Sequence, residues 1–80
     1  MIKVECRLYA GLKRYIPGYR VGDVKELEFP EGTILLELYE LLKVPAGEVK
    51  RTFVNGLSKG SDHVLSDGDR IALFPPIGGG

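Results

Sequence analysis

Cysteine is nearly absent from this sequence, and the single one present, Cys6, excludes an internal disulfide framework. Small secreted domains commonly depend on such frameworks, so one lone cysteine is typical of a protein from a reducing cytoplasm. The sequence also lacks an apolar run long enough to cross a bilayer and has no signal-peptide pattern. We therefore expect a cytoplasmic protein that does not act at a membrane.

The sequence contains one histidine and has no net charge. His63 is the single histidine and has no second His or Cys nearby, so we expect neither a metal site nor a histidine-dependent catalytic triad. Basic and acidic residues number 11 each, and a net charge of zero provides no basic field to attract nucleic acid or an anionic membrane. Composition thus excludes several classes of protein without selecting a function.

The apolar content is sufficient for one small domain, because 44% of the 80 residues are hydrophobic. Strict alternation from Ile2 to Tyr9 predicts a half-buried strand. A helical turn from Ala10 to Tyr15 and a second strand from Val24 to Phe29 are expected to follow. The predicted core positions of the two strands are Ile2, Val4, Cys6, Leu8, Val24, Leu27 and Phe29, with Lys3, Glu5, Arg7 and Tyr9 on the opposite face.

One amphipathic helix is predicted after the turn at residues 30–32. Thr33 is the expected N-cap, because its hydroxyl can accept a hydrogen bond from a free backbone N–H group of the first turn. Residues 34–42 are mostly strong helix formers. The predicted apolar stripe consists of Ile34, Leu38, Leu41 and Leu42, and Glu37 and Glu40 mark the solvated face.

The remaining sequence returns to strands. Predicted in order are a strand from Arg51 to Asn55, a tight turn at Asn55-Gly56, an edge segment near residues 63–65, a turn at residues 67–69 and a last strand from Arg70 to Phe74. One helix covers only one face of a sheet. The order therefore predicts an α+β fold of the β-grasp type, a mixed sheet curled around one main helix, over residues 1–74.

The open face of this sheet is predicted to carry an aromatic patch. In a β-grasp the first and last strands are neighbours, and alternation places Tyr9 and Phe74 on the open side, flanked by Arg7 and Arg70. Contiguous exposed aromatic side chains are commonly docking sites. The alternative is two scattered surface aromatics, which would need no functional explanation.

Residues 75–80 form an unusual chain end, predicted to be an extended and flexible tail. Pro75 and Pro76 stiffen its base, and Gly78, Gly79 and Gly80 carry no side chains, so a narrow tunnel of another protein can accept them. We expect Gly80 to present a carboxylate for chemical modification. A functionless frayed terminus is the alternative.

The run from Leu65 to Gly80, LSDGDRIALFPPIGGG, resembles the carboxy-terminal signature of the MoaD/ThiS ubiquitin-like sulfur carriers, and most closely that of the molybdopterin synthase small subunits. That signature reads L-x-D-G-D-x-V/I-x-x-F-P-P-V/I-x-G-G. The residues IKV at 2–4, LYA at 8–10 and VNG at 54–56 also follow the family. The resemblance therefore covers essentially the whole chain.

The resemblance implies a protein that carries sulfur without catalysing a reaction or binding a cofactor. An E1-like adenylyltransferase of the MoeB/ThiF type would adenylate Gly80, and a cysteine desulfurase or rhodanese would supply sulfur for a terminal thiocarboxylate. The MoaE-like large subunit of molybdopterin synthase would then receive the tail, and a pterin precursor the sulfur. By position, Tyr9 and Phe74 match the family's partner-facing aromatics; Leu57 and Ser58 lie in a loop that also contributes contacts.

Several alternatives remain open. Cys6 lies on the core-facing side of its strand, so a buried inert thiol is favoured over a sulfur-carrying one. Lys13, Arg14 and Arg20 either dock an acidic partner or form a solvated basic loop. The competing functions are a sulfur carrier for thiazole or cysteine synthesis, a ubiquitin-like modifier joined to lysines through Gly80, and an interaction module with an inert tail.

Overall fold

A five-stranded mixed sheet forms the scaffold of the computed structural model, which describes residues 1–20 and 22–76. The helices and strands are β1 Ile2–Leu8, a 3₁₀ helix Ala10–Tyr15, β2 Lys25–Phe29, α1 Leu35–Leu42, a 3₁₀ helix Ala46–Glu48, β3 Arg51–Val54, β4 Leu57–Ser58 and β5 Arg70–Phe74. The strand order in the sheet is β2-β1-β5-β3-β4.

The two strands predicted from strict alternation lie side by side. β1 pairs in parallel with β5, with Glu5 opposite Arg70 and Leu8 opposite Leu73. On its other side β1 is antiparallel to β2, and β3 completes the pairing of β5 from the far side. The predicted α+β β-grasp layout is therefore confirmed, with β5 as the central strand.

The helix covers one face of the sheet, but its buried stripe differs from the predicted one. Leu35, Leu38, Tyr39 and Leu42 are buried, whereas Leu41 is 57% exposed, so its assignment to the core was wrong. The helical sequence carries leucines on several sides, so spacing alone did not determine which side faces the sheet. Burial raises the pKa of Tyr39, whose hydroxyl forms a hydrogen bond with Thr52 of β3.

The start of the helix is also shifted by one residue from the prediction. Ile34 occupies the N-cap position, and the Glu37 carboxylate accepts a hydrogen bond from the Ile34 backbone N–H at 3.0 Å. The Thr33 hydroxyl instead donates to the Pro30 carbonyl at 2.7 Å, which closes the preceding turn. A buried Thr33 is thus a turn residue and does not cap the helix.

The second strand begins one residue later than expected. Val24 precedes it and is 38% exposed, so Val24 does not belong to the core. Phe29 is buried and Leu27 packs against the core as a half-buried side chain, as predicted. The expected edge segment is reduced to a single bridge between Ile34 and Val64.

Two aspartates in the turn before β5 form hydrogen bonds that anchor this strand. Asp69 is buried, and its carboxylate accepts hydrogen bonds from the Ser66 backbone N–H at 2.8 Å and the Asn55 side-chain amide at 2.9 Å. Asp67 accepts a hydrogen bond from the Lys3 backbone N–H at 2.7 Å. The beginning of β5 is therefore anchored both to β1 and to the β3–β4 turn, where Asn55 has a positive φ of 53°.

No helix of the described residues has the length and apolar character needed to span a membrane.

Candidate functional site

The sheet face opposite α1 displays the side chains that alternate with the core residues. Arg7 of β1, Ala72 of β5 and Phe53 of β3 lie in register across its centre. Arg70 and Phe74 occupy the same face of β5, whereas Ile71 and Leu73 point into the core, as the alternation predicted. The residues expected on the open face are thus together on one surface.

Three rings on this face form an aromatic cluster, which we define as Tyr9, Phe53 and Phe74. The Tyr9 and Phe74 rings are stacked, with centroids 4.6 Å apart and an interplanar angle of 4°. The Phe53 and Phe74 rings pack edge to face, with centroids 5.6 Å apart and an interplanar angle of 89°. Such contacts add to the energy of burial and hold the rings in a fixed arrangement. Phe74 is the central ring of the cluster.

Sequence reasoning identified Tyr9 and Phe74 but missed Phe53. A signal for it existed, because Thr52 and Val54 are core residues and alternation therefore sends Phe53 to the open face. Ser58 is opposite Phe53 in the β3–β4 pair, and Leu57 is exposed. The docking role of this surface stays a prediction.

A groove of about 280 Å³ lies on one side of Phe74. Ala72 is among the residues that line it, and both predicted flanking arginines, Arg7 and Arg70, contribute to its lining. The Arg7 guanidinium lies 3.9 Å from the Glu5 carboxylate, at a partly exposed position where such a pair contributes little stability.

A second groove of about 390 Å³ lies where the chain leaves the sheet. Phe74, Pro75 and Pro76 of this groove were predicted site residues, whereas its other lining residues were given no site role from the sequence. Its lining consists of Ala10, Lys50, Arg51, Phe53, Phe74, Pro75 and Pro76.

Backbone hydrogen bonds hold the strand end between these two grooves. The Tyr9 N–H donates to the Leu73 carbonyl at 3.1 Å, and the Lys50 N–H donates to the Phe74 carbonyl at 2.8 Å. Pro75 and Pro76 have no N–H to continue either ladder. The chain therefore leaves the sheet directly beside the aromatic cluster. Gly78, Gly79 and Gly80, the predicted tail, lie outside the described residues, and the division at residue 75 stays a prediction.

Cys6 is unsuited to carry sulfur. Its side chain has no exposed surface, and desolvation by burial raises the pKa of the thiol to about 12. The thiolate is the reactive form of cysteine, so this thiol is inert at neutral pH. Because the folded pKa lies above the ordinary value of 9.0, burial of Cys6 favours folding below pH 9, and this contribution declines as the pH rises towards 12.

Arg14, in the first 3₁₀ helix, has a structural role. The Arg14 guanidinium donates to the Tyr15 hydroxyl at 3.0 Å and lies 3.7 Å from the Glu48 carboxylate, which connects the two 3₁₀ helices. The backbone N–H of Arg20 bonds to the Asp23 carboxylate, in the loop that precedes β2. Over residues 1–20 and 22–76, no group of three or more His, Cys, Asp or Glu side chains is placed to hold a metal ion.

The sequence and the fold were both compared with those of known proteins. Residues 8–80 match the model of the ThiS family, while no curated protein matches the chain by sequence. One similar structure, from Pyrococcus furiosus, is provisionally described as molybdopterin converting factor, subunit 1. It is 28% identical in sequence with a TM-score of 0.73, and the match covers 96% of this chain and 100% of that one.

Two structures from Haloferax volcanii have the same fold. Small archaeal modifier protein 1 is 21% identical with a TM-score of 0.74, and the match covers 96% of this chain and 100% of that one. The HVO 2177 protein is 19% identical with a TM-score of 0.75, over 99% of this chain and 87% of that one. At these identities the likeness concerns the fold alone.

Proposed function

Since the chain belongs to the ThiS family, we propose that it is the sulfur-carrier small subunit of a molybdopterin synthase. Gly80 presents the carboxylate that is adenylated and converted to a thiocarboxylate. The sulfur then passes to a pterin precursor during biosynthesis of the molybdenum or tungsten cofactor. The protein acts as a cosubstrate of its partner enzymes and not as a catalyst.

One observation carries this proposal. Phe74 is both the last hydrogen-bonded residue of β5 and the central ring of the aromatic cluster. A partner that docks on the cluster is therefore in place to receive the residues that follow Pro76. The F-P-P-I-G-G-G ending at residues 74–80 and the 28% identity with the described converting-factor subunit support the molybdopterin branch.

The chemistry requires activation because a carboxylate is anionic at neutral pH and resists nucleophilic attack. The terminal carboxylate attacks the α-phosphate of ATP, and pyrophosphate leaves. A donor such as a cysteine desulfurase or rhodanese holds the sulfur as a persulfide, and a thiol reductant cleaves that S–S bond to release hydrosulfide, the thiol itself being oxidised to a disulfide. Hydrosulfide then attacks the acyl carbon and displaces AMP. The product is a thiocarboxylate. Every catalytic group belongs to the E1-like enzyme, and this chain supplies a tail with no side chain at its last three residues.

Intact-mass measurement tests the proposal. The protein is incubated with ATP, sulfide and its cognate E1-like adenylating enzyme. We expect a mass gain equal to the exchange of one oxygen for one sulfur, and no gain when ATP is omitted. Absence of the gain with an enzyme of proven activity would contradict sulfur carriage. Gly80-dependent conjugates on other proteins in cell extracts would instead support the modifier alternative.

The aromatic cluster provides a second test. Replacing Phe74 with alanine removes the central ring, and we expect binding to the MoaE-like large subunit to weaken by about 1–3 kcal/mol, which is roughly 5- to 150-fold in Kd. Calorimetric titration measures this change. Val64→Ala is the matched control, because Val64 is an exposed apolar residue away from the open face. Equal affinities of the two variants would contradict a docking role for the cluster.

A further inference from the structure

The groove at the strand end combines an apolar lining with two cations. Its apolar part comes from the rings and prolines already described and from the methyl group of Ala10. Lys50 and Arg51 are exposed at its side, and Arg51 lies directly opposite Phe74 in the β3–β5 pair. Because the Lys50 N–H donates to the Phe74 carbonyl, the backbone that carries both cations has a fixed position relative to the base of the tail.

The two cations of this groove form no ion pair with the described residues. Within the part of the chain that the structure describes, neither Lys50 nor Arg51 has a carboxylate within ion-pair distance. The neighbouring Glu48 is paired with Arg14. Among residues 1–20 and 22–76 the two side chains therefore have no ion-pair partner, although the chain as a whole has a net charge of zero.

Ala10 adds a backbone feature to the same groove. Its φ of 52° lies in the left-handed region, which alanine adopts at an energetic cost. This conformation turns the chain from β1 into the 3₁₀ helix immediately after Tyr9, and the small side chain leaves the groove open beside Pro75 and Pro76.

From these observations we infer that this groove is a recognition site for an acidic, apolar segment of the adenylating enzyme, which would place an apolar side chain in the groove and carboxylates against Lys50 and Arg51. The inference rests on the proposed function for the identity of the partner. Charge complementarity selects the segment, because a basic or neutral one would leave two cations desolvated without partners. Lys50 and Arg51 are thus positioning residues and take no part in the chemical step.

Charge reversal tests the inference. The Kd of the full-length chain for the cognate E1-like adenylating enzyme is measured by calorimetry without ATP, so that no chemical step contributes. We expect the K50E/R51E double variant to bind about tenfold more weakly or worse, and the wild-type affinity to fall more steeply with salt than that of the variant. The K50R/R51K variant keeps both charges, and its affinity should stay within about twofold of wild type.

A control double variant, K25E/K43E, separates a local effect from a change in net charge. In K25E/K43E the net charge changes by the same amount, but Lys25 lies on β2 at the far edge of the sheet and Lys43 follows α1 on the covered face. We expect this variant to bind within about twofold of wild type. Matching thermal unfolding curves show that both double variants fold.

The outcomes also distinguish this inference from the proposed function. Wild-type affinity of K50E/R51E, equal weakening by K25E/K43E, or no binding of the wild-type chain would each overturn the inference. If the charge-reversal pattern is found while the ATP-dependent mass gain is absent, the recognition site stands and sulfur carriage fails. If the mass gain is normal while K50E/R51E binds with wild-type affinity, sulfur carriage stands and the recognition site fails.

Discussion

Removing Gly80 should abolish sulfur loading and leave the fold unchanged. The new terminal carboxylate, on Gly79, would end one residue short of the position at which an enclosed adenylation site aligns it with ATP. Misplacement of a reacting group by even a fraction of this distance costs orders of magnitude in rate. Adding one alanine after Gly80 should have the same effect, because it moves the carboxylate and introduces a side chain. Intact-mass measurement after the complete reaction is the readout.

Two controls make this result interpretable. Thermal unfolding of both variants should match that of the wild type, because the core of the described residues lies entirely upstream of the tail. Replacement of Cys6 with alanine should leave loading intact, since its thiol is buried and the proposed sulfur carrier is the terminal carboxylate. Normal loading of the shortened chain, or lost loading in Cys6→Ala with a normal fold, would contradict the proposed chemistry.

Leu38→Ala should destabilise the domain by about 2–5 kcal/mol, whereas Leu41→Ala should change its stability by less than about 0.5 kcal/mol. The two leucines lie on the same helix and lose the same atoms, but Leu38 has no exposed surface and Leu41 is 57% exposed. A domain of this size is stable by only about 4–12 kcal/mol in total. Loss of Leu38 therefore removes a large share of that stability.

Urea denaturation followed by circular dichroism measures both values. The midpoint should fall sharply for Leu38→Ala and remain near that of the wild type for Leu41→Ala, with similar slopes. Comparable losses for the two variants would show that the outer helix face is covered in solution and would contradict the observed orientation of α1.

Strictly alternating segments were predictable from the sequence. β1 and β5 were located within one residue, and the faces of their side chains were assigned correctly, because a period of two leaves only one arrangement with the apolar residues inside. This was sufficient to bring Tyr9 and Phe74 together before the structure was known. In the four-residue β3 the outward Phe53 was missed, although it alternates with Thr52 and Val54, which are both core residues.

The helix orientation was not predictable from spacing. Residues 34–42 contain apolar side chains on several sides, so two overlapping stripes were compatible with the pattern. The observed orientation buries Tyr39, whose hydroxyl forms a hydrogen bond with Thr52 in a strand distant in sequence. Asp69 illustrates the same difficulty: a turn-forming residue was evident, but its buried bonds to Ser66 and Asn55 depend on tertiary structure. The second groove is also assembled from separate segments, so no local motif signals it.

The central position of β5 has a consequence for how the chain is made. β1 pairs with β2, and β3 pairs with β4, and among the residues that the structure describes β5 alone joins these two antiparallel pairs into one sheet. Isolated two-stranded hairpins are marginally stable at best in water. A ribosome must therefore release residues 70–74 before the domain can close around its core. We expect chains interrupted before this strand to stay unfolded and exposed to proteases, so that folding itself would check that synthesis has reached the base of the tail.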